Sequence, residues 1–166
     1  MQKIAEELLF TFFALFDFYY LTLKNKLESE NKNNQNNQNN QKEILSKIHK
    51  KNLSNLELTN LKEIIALLGN IIKNEIHQKP FIQKNLHLVL IDVIISFIDY
   101  PKIIKNTIGT LINLTSNNEI RNEISKISAF VKSFFLISET YNESSMIVDY
   151  QLKLLLNMLK NGILIF

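Results

Sequence analysis

The chain has 166 residues, of which 46% are hydrophobic, and it contains only 3 glycines, 2 prolines and no cysteine. The scarcity of turn residues argues against an all-β fold, and the lack of cysteine excludes disulfides, thiolate metal sites and a cysteine nucleophile. The net charge of +3 is small and the basic residues are scattered, which disfavours nucleic-acid binding. We expect an all-α, cytoplasmic protein, because nothing in the sequence indicates an oxidising compartment.

Residues 1–28 form an apolar N-terminal segment that is predicted to hold one or more helices. Residues 8–16 read LLFTFFALF, but Glu6 and Glu7 precede this run and Asp17 interrupts it. A membrane-spanning helix needs about 20 apolar residues with few charges, and a signal peptide needs a positive start. We predict a buried helix here. The alternative function is a membrane-associated helical protein anchored by this segment.

An Asn/Gln-rich tract separates this segment from the rest of the chain. Residues 31–41 read NKNNQNNQNNQ and contain no apolar side chain that could be buried. Ordering such a tract costs backbone entropy without the compensation of a hydrophobic core. We predict that residues 29–42 form a disordered surface loop and that residues 43–166 form the main helical domain.

Apolar residues at three- and four-residue spacing predict a series of helices beyond this loop. The first begins around Ile44, Leu45 and Ile48, and the strongest lies at residues 58–73. The remaining predicted helices lie at residues 80–85, 86–98, 102–115, 119–126, 128–138 and 146–160.

Several residues mark the ends of these helices. Pro80 suits a first helical turn, and Tyr100–Pro101 marks a break, because the residue before proline avoids the helical region. Either Asn117 or Asn118 is expected to cap the helix that follows. The last helix is expected to stop at Asn161–Gly162.

A short pattern recurs near the ends of three predicted helices: Leu, any residue, Asn, aliphatic. Its copies read LGNI, LINL and LLNM, and they contain Asn70, Asn113 and Asn157. The asparagines are separated by 43 and 44 residues, with one short polar helix and one apolar helix between each pair. A period of about 40–47 residues with two or three helices is typical of armadillo and HEAT repeats.

The stretch KIIKNTIGTLINLTSN at residues 102–117 resembles the third helix of an armadillo repeat. The resemblance covers about residues 58–162. It implies a right-handed α-solenoid of about two and a half to three repeats, each with a short helix and two longer ones. The glycine usually found between the first two helices is missing, and Asn85 and Ser128 stand near its position.

The same resemblance implies a peptide-binding role for Asn70, Asn113 and Asn157. In armadillo proteins the third helices line a groove, and their signature asparagines often bind the backbone of an extended peptide. A carboxamide suits this role because it offers both a donor and an acceptor. Alternatively, these amides satisfy the ends of neighbouring helices or face water.

Importin-type armadillo grooves place a tryptophan four residues before each signature asparagine. Those positions hold Ala66, Gly109 and Lys153 in this chain, which has no tryptophan. Recognition of basic import signals is therefore not expected.

A narrower resemblance involves IIALLGNIIKN at residues 64–74, TIGTLINLTSNNEIRNEI at 107–124 and LKLLLNMLKN at 152–161. In order and spacing these stretches are similar to part of the N-terminal armadillo domain of the cancerous inhibitor of protein phosphatase two-A family. The resemblance implies dimerisation and contact with a phosphatase regulatory subunit. The long C-terminal coiled coil of that family has no counterpart in this sequence.

No arrangement of residues indicates catalysis, a cofactor or a metal site. His49, His77 and His87 lack metal-ligand spacing, and neither a Gly-rich phosphate loop nor a Gly-x-Ser-x-Gly elbow occurs. We expect a non-enzymatic scaffold whose partner is a protein or an extended peptide. The tail GILIF at residues 162–166 leaves an apolar edge after the last repeat. We expect either that the chain is a piece of a longer solenoid or that this edge docks onto a partner, and a homodimer through the edge is one hypothesis.

Overall fold

The computed structural model describes residues 2–34 and 53–160, and α-helices make up almost all of both stretches. Neither stretch contains a β-strand, so the predicted all-α class is confirmed for this part of the chain. The predicted helix around Ile44 and the predicted stop at Asn161–Gly162 lie outside the described residues. The helices within these two stretches are α1 (Gln2–Asn34), α2 (Asn55–Ile71), α3 (Glu75–Gln83), α4 (Leu86–Ser96), α5 (Pro101–Leu114), α6 (Asn118–Ser125), α7 (Ser128–Thr140) and α8 (Ser145–Leu159).

Short polar side chains determine where several helices begin. Ser54 and Glu57 form a capping box at the start of α2, in which each side chain accepts the other residue's backbone N–H. Asn74 caps α3, and Asn117 caps α6. Of the two predicted candidates, Asn117 and Asn118, it is therefore Asn117 that caps this helix. Pro101 starts α5, which confirms the predicted break.

The position of Pro80 differs from the prediction. Helix α3 begins at Glu75, so Pro80 lies inside the helix instead of in its first turn. The Asn74 side chain accepts a hydrogen bond from the Ile76 N–H at 3.2 Å and so starts the helix earlier. Because proline has no N–H, it cannot bond the carbonyl four residues before it. The helix that contains it is short, at 9 residues.

Two buried side chains at equivalent positions hold the turns that follow α2 and α5. Gln78 Nε2 donates to the Ile72 carbonyl at 2.9 Å, and Arg121 Nη1 donates to the Thr115 carbonyl at 2.9 Å. Ile72 and Thr115 are the C-caps of α2 and α5. Carbonyls at helix ends lack intrahelical donors, so each buried side chain satisfies one of them and fixes the direction of the next helix.

The helices pack in two rows. In the first row, α5 contacts both α2 and α8. In the second row, α4 contacts both α1 and α7. Contacts between α1 and α2 and between α4 and α5 join the rows, and the short helices α3 and α6 each contact the helix that follows. In each of the units α3–α5 and α6–α8 a short helix is followed by two longer ones, and each longer helix contacts its counterpart in the other unit.

Helices α2 and α5 run parallel and approach closely. Polar side chains of α5 donate to backbone carbonyls of α2, with Asn106 bonding Lys62 at 3.1 Å, Thr110 bonding Ile65 at 3.2 Å and Asn113 bonding Gly69 at 2.9 Å. Residues later in α5 bond to carbonyls later in α2, as is expected when two helices run in the same direction. A Cβ at Gly69 would lie 2.9 Å from Thr110 Oγ1, so only glycine permits this approach.

One face of α1 is buried against the stack. Phe13, Phe16, Tyr20 and Leu23 are buried, and their three- and four-residue spacing places them along a single helix face. The Tyr20 hydroxyl donates to Asp92 Oδ2 of α4 at 2.6 Å. The predicted burial of the N-terminal apolar segment is confirmed for this face.

The other face of α1 is exposed and largely apolar. Leu8, Leu15 and Phe18 are 66%, 59% and 71% exposed. Within the described stretches, no helix combines the length and apolar character needed to cross a membrane.

Helix α1 continues beyond residue 28 to Asn34, so the boundary predicted at residue 28 lies inside a helix. The first residues of the predicted loop are therefore helical, since extending an existing helix avoids the cost of nucleation. The remainder of that loop lies outside the described residues.

Asn85 joins α3 to α4 with a left-handed backbone, at φ 57° and ψ 22°. Among the described residues it is the only non-glycine with a positive φ. It stands near the position where armadillo repeats usually have glycine, and asparagine adopts this conformation more readily than most residues.

We expect Asn85→Ala to lower the free energy of unfolding by about 1 kcal/mol, since alanine is strained in the left-handed region. Asn85→Gly should leave the free energy of unfolding unchanged or raise it slightly. The Asn85 side chain is exposed, so neither change removes a packing contact. Urea unfolding followed by circular dichroism measures the difference, and equal stability of the two variants would argue against a conformational requirement.

Candidate functional site

An open groove runs across the first row of helices and encloses about 370 Å³. We call it the α2–α5–α8 groove, because residues of α2, α5 and α8 line it, together with Lys73 just after the end of α2. Its polar lining comes chiefly from Asn70, Lys73, Lys105, Asn113, Tyr150 and Lys153. The groove therefore combines amides, ammonium groups and one aromatic ring on a face formed by successive repeat units.

The floor of the groove contains small residues. The positions four residues before the three signature asparagines hold Ala66, Gly109 and Lys153, and all three line the groove. A Cβ at Gly109 would lie 3.2 Å from Tyr150 Cε1, so the glycine lets the Tyr150 ring lie close to α5. Two of the three positions where an importin-type groove has tryptophans hold small residues, Ala66 and Gly109, and the third holds Lys153.

Asn70 is the most accessible of the three predicted site asparagines. It is exposed at the end of α2 and lines the groove. Its Oδ1 accepts a hydrogen bond from Lys73 Nζ at 3.1 Å. Since both side chains are exposed, a ligand can replace this contact at little cost.

The other two asparagines bond neighbouring helix ends. Asn113 Nδ2 donates to the Gly69 carbonyl at 2.9 Å, and Asn157 Nδ2 donates to the Ile112 carbonyl at 3.1 Å. These carbonyls lie in the last turns of α2 and α5, where intrahelical donors run out. Asn113 is half-buried and lines the groove, whereas Asn157 is buried and does not line it. For both, one of the predicted alternatives, satisfaction of a helix end, is the arrangement observed.

Two lysines lie over the ring of Tyr150. Lys105 Nζ is 5.6 Å and Lys153 Nζ is 5.5 Å from the ring centroid, within the range of cation–π attraction. Lys153 Nζ also donates to Asp149 Oδ2 at 2.6 Å, and this hydrogen bond raises the pKa of Lys153 above its ordinary value. One aromatic ring therefore holds both ammonium groups beside the groove.

Lys73, Lys105 and Tyr150 were not predicted as site residues. The sequence pattern could have indicated Lys105 and Tyr150, because residues three, four, seven and eight positions apart lie on the same face of a helix. Lys105 stands eight residues before Asn113, and Tyr150 stands seven residues before Asn157. Projecting each helix face back from its asparagine would have identified both.

Titratable groups elsewhere have structural roles. Asp92 accepts hydrogen bonds from Tyr20 and from Lys24, at 2.6 and 2.5 Å, and so links α4 to α1. His87 is buried at the start of α4, and burial lowers the pKa of its imidazole against an opposing effect of the Glu123 carboxylate. In the part of the chain that the structure describes, no three His, Asp or Glu side chains are grouped as a metal site would require.

No protein-family model matches the chain, and no curated protein or solved structure is significantly similar to it.

The different environments of the asparagines lead to a stability test. We expect Asn157→Ala to lower the free energy of unfolding by about 1–2 kcal/mol, because the hydrogen bond from this buried side chain to the Ile112 carbonyl is lost and only the Thr115 hydroxyl, at 3.2 Å, still donates to it. Asn70→Ala serves as the matched control. It should change the free energy of unfolding by less than about 0.5 kcal/mol, since the Asn70 side chain is exposed. Urea titration of both variants gives the values, and equal losses would be inconsistent with these roles.

Proposed function

We propose that this chain is a non-enzymatic scaffold of armadillo type that binds an extended segment of a partner protein in the α2–α5–α8 groove. The two rows of helices and the recurrence of a short helix followed by two longer ones support this proposal. The equivalent hydrogen bonds from Gln78 and Arg121 to the carbonyls at the ends of α2 and α5 also support it. The left-handed Asn85, near the usual glycine position, is a further point in its favour.

The groove is the observation that carries the proposal. Packed helices lie about 8–10 Å apart, so a chain crossing from α2 to α8 spans roughly 16–20 Å. At about 3.3 Å per residue, that distance corresponds to five or six residues of extended peptide. The open floor at Ala66 and Gly109 leaves room for its backbone, and polar groups from α2, α5 and α8 lie along its course.

The narrower sequence resemblance extends the proposal to partners. By that resemblance, the chain is a regulator related to the cancerous inhibitor of protein phosphatase two-A family, with a phosphatase regulatory subunit as its partner. A homodimer through the C-terminal edge is also part of the proposal. Leu152, Leu156 and Leu159 of α8 are 53%, 62% and 41% exposed at this edge, and a stacked repeat normally covers such a surface.

The groove can be tested with two tryptophan variants on one helix. Asn70 and Asn60 are both exposed residues of α2, but only Asn70 lines the groove. Peptides of twelve residues are selected by display against the purified chain, and their affinities are measured by fluorescence anisotropy. We expect Asn70→Trp to weaken binding about ten-fold or more by filling the groove, whereas Asn60→Trp should leave the affinity within about two-fold.

Selection of no peptide, or equal binding to both variants, would remove the support for this function. The same pair of variants applies to a purified phosphatase regulatory subunit. For that partner, a loss of binding confined to Asn70→Trp is the expected result.

A further inference from the structure

Resting on the proposed function, we infer that the segment bound in the α2–α5–α8 groove is acidic, and that Lys73, Lys105 and Lys153 recognise its carboxylates. The three lysines come from different parts of the first row. Lys73 follows the end of α2, Lys105 lies in the first half of α5, and Lys153 lies in α8. A chain that crosses the row therefore meets a positive charge near each helix.

The charge of the groove is largely uncompensated. None of the residues that line it is acidic. Within the described residues, neither Lys73 nor Lys105 has a carboxylate within ion-pair distance, and Lys153 is paired only with the exposed Asp149. Because exposed ion pairs are weak, a ligand carboxylate competes readily with Asp149 for the Lys153 ammonium group.

Tyr150 brings two of these charges together. The Lys105 and Lys153 ammonium groups both lie over its ring, and their distances to the centroid place them within about 11 Å of each other. A carboxylate bound beside Tyr150 would interact with both lysines, so this part of the groove is the centre of the inferred acidic site.

The asparagines add to the argument for recognition by charge. Asn113 and Asn157 use their amide donors on the carbonyls of Gly69 and Ile112. Fewer neutral donors are therefore left for a peptide backbone than a row of three free asparagines would supply. The ammonium groups then provide most of the attraction, and binding should weaken as salt concentration rises.

A peptide fits this groove better than a nucleic acid does. Nucleic-acid binding requires a long basic stripe that follows the phosphates, commonly with several stacking aromatics. The groove has three lysines and one aromatic ring, Tyr150, and its floor includes Ala66, Gly69 and Gly109. A short extended chain with two or three carboxylates matches this number of charges.

Two variants of equal net charge test the inference. The groove variant combines Lys73→Gln, Lys105→Gln and Lys153→Gln. The control combines Lys79→Gln, Lys126→Gln and Lys132→Gln, three exposed lysines that do not line the groove. Circular dichroism checks that both are folded. Fluorescence anisotropy then measures the binding of labelled eight-residue peptides that alternate serine with glutamate, glutamine or lysine, and of a twelve-nucleotide single-stranded DNA.

The glutamate peptide should bind most tightly, and its affinity should fall about ten-fold in the groove variant and less than about two-fold in the control. Equal losses in the two variants, tighter binding of the DNA, or no preference for glutamate over glutamine would overturn the inference. If the glutamine or lysine peptide binds best and is lost in Asn70→Trp, the inference fails but the proposed function stands. If none of these peptides binds, the inference fails, and the proposed function fails with it only if display also selects no peptide.

Discussion

The close parallel contact between α2 and α5 is the constraint on which the rest of the structure depends. Polar side chains of α5 reach backbone carbonyls of α2 along the whole contact, and Gly69 leaves the space that Thr110 occupies. The hydrogen bond from the Asn157 side chain of α8 to the Ile112 carbonyl of α5 is a contact of the same type between the next two helices of the row. Because each helix is held in register with the one before it, side chains from successive units line one groove.

The two edges of the stack explain where apolar surface is exposed. Inside the stack, α4 and α5 each contact a helix on both sides within their rows. At the edges, α1 and α8 have one such neighbour each, and Phe18 of α1 and Leu156 of α8 are among the most exposed apolar residues. The groove differs from these edges because its lining includes polar and charged side chains, so a ligand bound there would be held by charge and hydrogen bonding more than by apolar burial.

Local signals in the sequence were sufficient to predict most of the helices. The break at Pro101, the cap at Asn117 and the three-helix period are set by residues close together in the chain. The sequence predicted alternative roles for the asparagines but could not decide between them, because the carbonyl that Asn157 bonds lies 45 residues earlier. The approach of Lys105 to Tyr150 likewise depends on how α5 and α8 face each other, which no local pattern specifies.

Nuclear magnetic resonance can locate the surface at which a peptide binds and so distinguish the proposed α2–α5–α8 groove from the edges of the stack. The ¹⁵N-labelled chain is titrated with a peptide that binds it, and the shifted backbone amides are mapped. The account predicts that the largest shifts cluster at Gly69, Gly109 and Lys153. A cluster on the exposed face of α1, around Leu15 and Phe18, would contradict it and would place the binding surface at the edge of the stack.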